Sequence, residues 1–187
     1  MNFLTKIKLS RINNLSDARF AAAAGIEYIS FCFDQLNERY ISPAHAKQIM
    51  DWLSGVECVG EFVNEPVETI NEVCKLINLR MVQLKGNYTI ADVAAIEVPV
   101  IWEAEGNIPA PDGVFAVQVI YQNKISLPEG DVKTIIHFTG ETTQTIKEVI
   151  ETHRPFAVSF TGGDEDKPGL RDFSELSEVL EVLSAEN

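Results

Sequence analysis

The chain is 187 residues long, 45% apolar and 23% charged, with a formal charge of −13 at neutral pH. At roughly 100–200 residues per domain, one domain spanning residues 1–187 is expected, and the ordinary globular composition excludes wholesale disorder. An acidic surface repels phosphate backbones and anionic lipids, so nucleic-acid and membrane-surface roles are disfavoured; a small anionic ligand would need a local cluster of Lys and Arg.

Met1 to Arg11 holds no apolar run of signal-peptide length, and no stretch approaches the ~20 apolar residues of a membrane span. A cytoplasmic chain is expected. Cys32, Cys58 and Cys74 are odd in number and widely spaced, against a disulfide framework or a zinc site, and all three sit in apolar runs as small buried residues do. No metal or cofactor is expected.

Short β-rich runs alternate with helical segments. Ile7–Ser10 reads as a first strand. A helix over Asn13–Gly25 follows, with Asn13 or Asn14 as cap and Gly25 as terminator. Glu27–Phe33 is a second strand, and Ser42-Pro43 opens a helix to about Leu53. Val56–Val63, the helix Pro66–Ile77, the strand Met81–Leu84, the short helix Ile90–Ala95 and the strand Val98–Trp102 come next. Gly106–Gly113 is rich in Pro and Gly and reads as a loop. The strand Phe115–Tyr121, the loop Gln122–Asp131, the strand Thr134–Phe138 and a helix from Thr143 to Thr152 follow. Phe156–Phe160 is an eighth strand, Gly162–Pro168 a loop and Phe173–Leu183 a last helix.

Such alternation implies right-handed βαβ units and a parallel sheet. Eight strands predict a (β/α)8 TIM barrel, trimmed below the usual ~250 residues by short or missing helices after strands 5 and 6. A doubly wound open sheet is the competing architecture. Odd-numbered strands share interior layers, so Lys8 and Glu61 are placed to form a buried pair, and Glu61, Glu103 and Glu105 lie on strands 3 and 5. His137 on strand 7 is placed to face the interior as a hydrogen-bonded core residue. His45 and His153 fall on helices facing solvent, as do Glu178 and Glu181. Trp52 and Trp102 read as core.

Several strings in order resemble the phosphoribosylanthranilate isomerase family of tryptophan biosynthesis. Lys8-Leu9-Ser10-Arg11-Ile12-Asn13, followed by Asp17-Ala18, matches the family's opening Lys-Ile-Cys-Gly-Ile-Thr and Asp-Ala. Ser30-Phe31-Cys32-Phe33 through Arg39-Tyr40-Ile41-Ser42-Pro43 matches its second strand and loop. Val59-Gly60-Glu61-Phe62-Val63-Asn64 and Gln83-Leu84-Lys85-Gly86 match its Val-Gly-Val-Phe-Val-Asn and Gln-Leu-His-Gly. Thr161-Gly162-Gly163-Asp164-Glu165 and Pro168-Gly169-Leu170-Arg171-Asp172 match its closing strings. The resemblance is close from Lys8 to Gly86 and sparse from Tyr88 to Asp131.

The resemblance implies an intramolecular oxidoreductase that rearranges a phosphoribosylated anthranilate by an Amadori reaction, with a Cys base after strand 1 and an Asp acid after strand 6. Here Ser10 stands at the base position, and Phe115–Tyr121 contains no Asp or Glu. Glu141 follows Gly140 where a second phosphate-binding glycine is implied, leaving Gly162 and Gly163 as an anion cradle or an ordinary turn. Arg39 matches the arginine for the anthranilate carboxylate, Arg11 replaces a Gly, and Lys85 replaces a His. Lys8, Arg11, Arg39 and Lys85 either converge on the C-terminal face as an anion site or pair with carboxylates such as Glu61. The sequence thus suggests a diverged, non-catalytic relative, a pseudoenzyme, binding a small carboxylate or phosphate. The alternatives are an active isomerase or an enzyme of changed specificity using Lys85 or His137, and a non-catalytic interaction subunit.

Overall fold

The computed structural model describes residues 3–104, 110–123, 125, 127–128, 130–161, 165–167, 170–171 and 174–184. Eight strands lie side by side in chain order and close on themselves: β1 (Lys6–Ser10), β2 (Tyr28–Cys32), β3 (Glu57–Val63), β4 (Met81–Lys85), β5 (Val100–Glu103), β6 (Ala116–Ile120), β7 (Lys133–Phe138) and β8 (Ala157–Thr161). Every neighbouring pair is parallel, and β8 returns to β1 with Lys8 opposite Ser159 and Ser10 opposite Thr161. The competing open sheet is thereby excluded.

The helices are α1 (Leu15–Ala24), α2 (Pro43–Met50), α3 (Val67–Ile77), α4 (Ile90–Ala95), α5 (Thr143–His153) and α6 (Ser174–Leu183). Among the described residues, none stands between β5 and β6 or between β6 and β7, as the Pro/Gly-rich and short connections predict. The cap of α1 is Asn14, whose side chain accepts from the Asp17 N–H, and Gly25 ends the helix at φ 80°, a left-handed conformation that a Cβ would strain. Ser42 caps α2 ahead of Pro43, and Thr89 and Asp92 form a reciprocal capping box on α4.

Two readings need correction. Part of the expected loop Gly162–Pro168 is strand: β9 (Glu165–Lys167) pairs antiparallel with β10 (Leu170–Arg171). A Pro-Gly dipeptide between two short runs is a hairpin signal in the sequence that this reading missed. Trp52 is not core. It lies 69% exposed, beyond the end of α2, with the Arg19 guanidinium 5.4 Å from its ring centroid. The helix stops at Met50, so the tryptophan follows the last buried position, Ile49, on an outer turn. Trp102, by contrast, is buried.

The main apolar core fills the space between the strands and the helices, with Ile7, Phe31, Phe62, Leu84, Ile136 and Phe160 meeting residues such as Ala21, Ile49, Ile70 and Ile146. Burying each large side chain contributes roughly 1.5–3 kcal/mol. Gly60 marks how closely this layer packs: a Cβ there would lie 2.5 Å from Leu79 Cδ2. Inside the barrel, a separate apolar cluster closes the N-terminal end: Tyr28, Val59, Met81, Ile101, Ala116, Ile135 and Ala157. Two residues further along each of those strands the side chain is polar: Ser30, Glu61, Gln83, Glu103, Gln118, His137 and Ser159. The two-residue period of a strand returns each to the same face, so a floor of hydrocarbon carries a belt of polar groups. No described helix is long and apolar enough to cross a membrane.

Candidate active site at the C-terminal end of the barrel

β1 contributes Lys8 to the belt and Ser10 above it. Lys8 is fully buried, and its Nζ donates to Ser10 Oγ at 2.8 Å, to Glu61 Oε1 at 3.3 Å and across the barrel to Gln118 Oε1 at 3.3 Å. Ser30 also donates to Glu61 Oε1, and Arg11 Nε lies 3.3 Å from Glu61 Oε2. Burial would raise the Glu61 carboxyl, but Lys8, then Arg11 and Ser30, hold it at about 2. Burial pulls the Lys8 ammonium below the ordinary lysine value, against the attraction of Glu61 and Glu103. The expected Lys8–Glu61 pair is therefore present, inside a fuller network than two strands supply.

The second branch runs from Ser10 to β7 and β8. Ser10 Oγ lies 2.9 Å from Ser159 Oγ, and Ser159 Oγ lies 3.0 Å from His137 Nδ1. His137 Nε2 lies 3.5 Å from Thr161 Oγ1. Burial, then the nearby Lys8 charge, lowers His137 to about 4, so its imidazole is neutral at neutral pH. A third branch joins β4, β5 and β6. Lys85 Nζ lies 3.1 Å from Glu103 Oε1, while Gln83 Nε2 donates to Glu103 Oε2 at 2.6 Å and Gln118 Nε2 to the same oxygen at 3.4 Å.

These branches meet at a cavity of about 150 Å³ lined by Ser10, Arg11, Glu61, Gln83, Lys85, Glu103, Gln118, Ile120, His137 and Thr139. Larger hollows of about 460 and 280 Å³ open at the opposite end, around Glu57 and around Lys133. They lie at the N-terminal strand ends, and the described buried polar network opens into the smaller cavity, which is the candidate site.

Of the residues singled out in the sequence, Ser10, Arg11 and Lys85 line the cavity, and Lys8 lies beneath it. Arg39 sits half-buried in the loop between β2 and α2, its N–H donating to Asn37 Oδ1, and is not among the lining residues. Gly162 and Gly163 lie outside the described residues, as does Glu105. Each of Lys8, Arg11 and Lys85 faces a carboxylate. Glu141 takes the Thr139 N–H at 2.6 Å, so that backbone donor after β7 is engaged by the chain itself. Sequence reasoning missed Ser30, Gln83, Gln118 and Ser159. The signal was there: on each strand a polar residue stands two places after an apolar one that joins the floor.

A closed parallel barrel with its buried charges gathered at the C-terminal strand ends has the architecture of a (β/α)8 enzyme. The chain belongs to the N-(5'-phosphoribosyl)anthranilate isomerase family, whose sequence model matches residues 7–107. A protein of Sulfurovum sp. (strain NBC37-1) named N-(5'-phosphoribosyl)anthranilate isomerase is 42% identical over 94% of this chain and 96% of its own length. One of the same name from Geobacter metallireducens is 26% identical over 97% of this chain and all of its own. A crystal structure of phosphoribosyl anthranilate isomerase in complex with reduced 1-(o-carboxyphenylamino)-1-deoxyribulose 5-phosphate superposes with a TM-score of 0.78 at 26% identity, covering 96% of this chain and 98% of that one. The Thermus thermophilus enzyme gives 0.79 at 22% identity over the same shares and supports the fold. Full-length relatives bearing the isomerase name weigh toward the active alternative rather than the non-catalytic barrel suggested by Ser10 and β6.

Proposed function

We propose that this chain, acting as a single barrel domain, is an isomerase that moves protons on a phosphorylated sugar amine, the Amadori rearrangement of N-(5'-phosphoribosyl)anthranilate in tryptophan biosynthesis. The observation that carries the reading is the chain Ser10 Oγ–Ser159 Oγ–His137 Nδ1, at 2.9 and 3.0 Å, ending on a neutral imidazole. With the His137 proton on Nε2, Ser159 donates to Nδ1 and Ser10 donates to Ser159. Ser10 then takes the proton from carbon 2 of the sugar as its own passes toward His137, and the Lys8 Nζ–H contact at 2.8 Å stabilises charge on Oγ. Lys85, held against Glu103, faces the same cavity and supplies the proton for the ring oxygen. A carboxylate acid is absent from β6, but Glu103 on β5 reaches its Gln118.

A hydroxyl relay is a weaker base than a thiolate. General acid–base groups typically contribute about 10²–10⁴-fold each, so slow turnover is expected.

A second reading, binding without rearrangement, is favoured by the hydroxyl of Ser10 at the end of β1, where the resemblance implies a thiol, and by a β6 that carries no Asp or Glu. Supplying N-(5'-phosphoribosyl)anthranilate to the purified chain and following its consumption separates the two. Turnover lost in Ser10→Ala supports the isomerase. Saturable binding of the reduced product analogue without turnover leaves the binding protein.

A further inference from the structure

Ser30 belongs to the polar belt yet stands outside both the relay and the cavity wall. It is fully buried on β2 and is not among the lining residues. Its Oγ accepts the Arg11 N–H at 3.1 Å and donates to Glu61 Oε1. Both directions are forced. A backbone N–H only donates, and Glu61, held at about 2, is a carboxylate that only accepts. The single hydroxyl proton is therefore committed, and the side chain has one orientation.

The place of Ser30 beside β1 gives these contacts their consequence. The register of β1 with β2 runs from Lys8 opposite Tyr28 to Leu9 opposite Ile29 and stops there. Arg11 then turns into the left-handed region at φ 59°. Past the end of that ladder, Ser30 ties the two strands together: its hydroxyl takes the Arg11 N–H, and its carbonyl takes the Ile12 N–H at 2.7 Å. The Arg11 nitrogen lies in the same planar peptide unit as the Ser10 carbonyl, so Ser30 fixes the plane in which the chain leaves Ser10. On its other side Ser10 is paired with Thr161 of β8. Glu61 Oε1, which takes the Ser30 proton, also takes Lys8 Nζ, the ammonium that donates to Ser10 Oγ.

We infer that Ser30 is a positioning residue for Ser10: acting through the Arg11 peptide and through Glu61, it aims Ser10 Oγ at Ser159 and Lys8 without meeting the ligand itself. The inference rests on the isomerase reading above for the role of Ser10. Misplacing a reacting group by ~1 Å costs on the order of 100-fold in rate, so loss of the Ser30 hydroxyl lowers turnover more than it weakens binding.

The full chain is tested as Ser30→Ala and as Ser30→Thr, which keeps the hydroxyl. In Ser30→Ala, kcat on N-(5'-phosphoribosyl)anthranilate is expected to fall at least tenfold with KM within twofold, and Ser30→Thr is expected to recover most of the rate. A second readout needs neither turnover nor a tolerated threonine. The thiol of Ser10→Cys, titrated by thiolate absorbance against Ser10→Ala, reports how closely that position is held to the Lys8 ammonium. Adding Ser30→Ala is expected to raise its pKa by about one unit or more, because the thiolate loses a nearby cation. An unchanged kcat in a folded Ser30→Ala overturns the inference, and so does an unchanged thiol pKa. If the unaltered chain shows no turnover, the isomerase reading falls and the titration alone decides for or against Ser30. Turnover that needs Ser10 but ignores Ser30→Ala keeps that reading and sinks the inference.

Discussion

Arg11 occupies a left-handed backbone conformation, φ 59°, and from it places Nε 3.3 Å from Oε2 of Glu61. The other oxygen of that carboxylate takes Lys8 and Ser30, so one buried Glu61 ties the rim to the belt below. The family resemblance puts glycine at this position, where positive φ carries no Cβ penalty. Here an arginine accepts the strain and gains a buried partner.

The strain and the pair can be separated by two substitutions. Arg11→Ala loses the guanidinium and keeps a Cβ in the left-handed region, whereas Arg11→Gly loses the guanidinium and releases the backbone. A left-handed residue bearing a Cβ costs about 1–2 kcal/mol. Arg11→Gly is expected to be the more stable of the two by about that amount, read as the difference between their urea midpoints at a common slope.

Removing Glu61 leaves Lys8 buried without its main counter-charge. Breaking one side of a buried pair typically costs about 3–5 kcal/mol. Glu61→Gln should lose stability in that range, and Lys8→Met combined with Glu61→Gln should recover much of it. Denaturant unfolding of the four chains closes the cycle; additive losses would mean that the two side chains are not coupled.

Acid should weaken the fold in two stages. An unfolded histidine takes up its proton near 6.5, but folded His137 does so only at about 4. Across that window the unfolded chain holds more protons, so stability falls as pH drops from 6.5 to 4, by about 3 kcal/mol in the limit. Glu61, depressed to about 2 from 4.5, adds a second loss as pH falls through that lower range. His137→Gln is expected to flatten the upper stage and leave the lower one. Because the relay needs a neutral imidazole, the kcat of the unaltered chain should hold from pH 7 to 5 where an ordinary histidine would already be protonated.

Ser10→Cys exchanges oxygen for sulfur at a position already contacted by Lys8 and Ser159. A thiol ionises far more readily than a hydroxyl, so kcat for the rearrangement should rise at least tenfold. The rise should persist when His137→Gln is added, because a thiolate does not need the relay. An unchanged or lower rate would remove Ser10 from the base role.

Strand order was legible because each run of apolar and polar residues is separated by its own helix or turn signal. Asn14, Ser42 and Thr89 mark helix starts by side-chain chemistry that acts over three residues. The belt was half legible. Ser30, Gln83, Gln118 and Ser159 keep a local period of two, but which of them touch is set by strand tilt and stagger around the closed barrel. Lys8 reaches Gln118 over 110 positions of sequence, and no local pattern encodes that meeting. Arg11 was legible as a substitution and illegible as a conformation, because φ is not written in residue identity unless the residue is glycine. Trp52 misled for the opposite reason: its bulk suggests burial, and only the helix end decides against it.

The hydrocarbon floor from Tyr28 to Ala157 makes the barrel a cup rather than a pipe. Among the described residues that floor shuts the N-terminal end, so a molecule that enters at the C-terminal end leaves past the side chains it met on arrival. Anything that narrows that opening slows arrival and departure together and barely changes equilibrium occupancy. Arg11, on the wall of the cavity with a third of its side chain exposed, is placed to govern the tempo of exchange rather than the strength of holding.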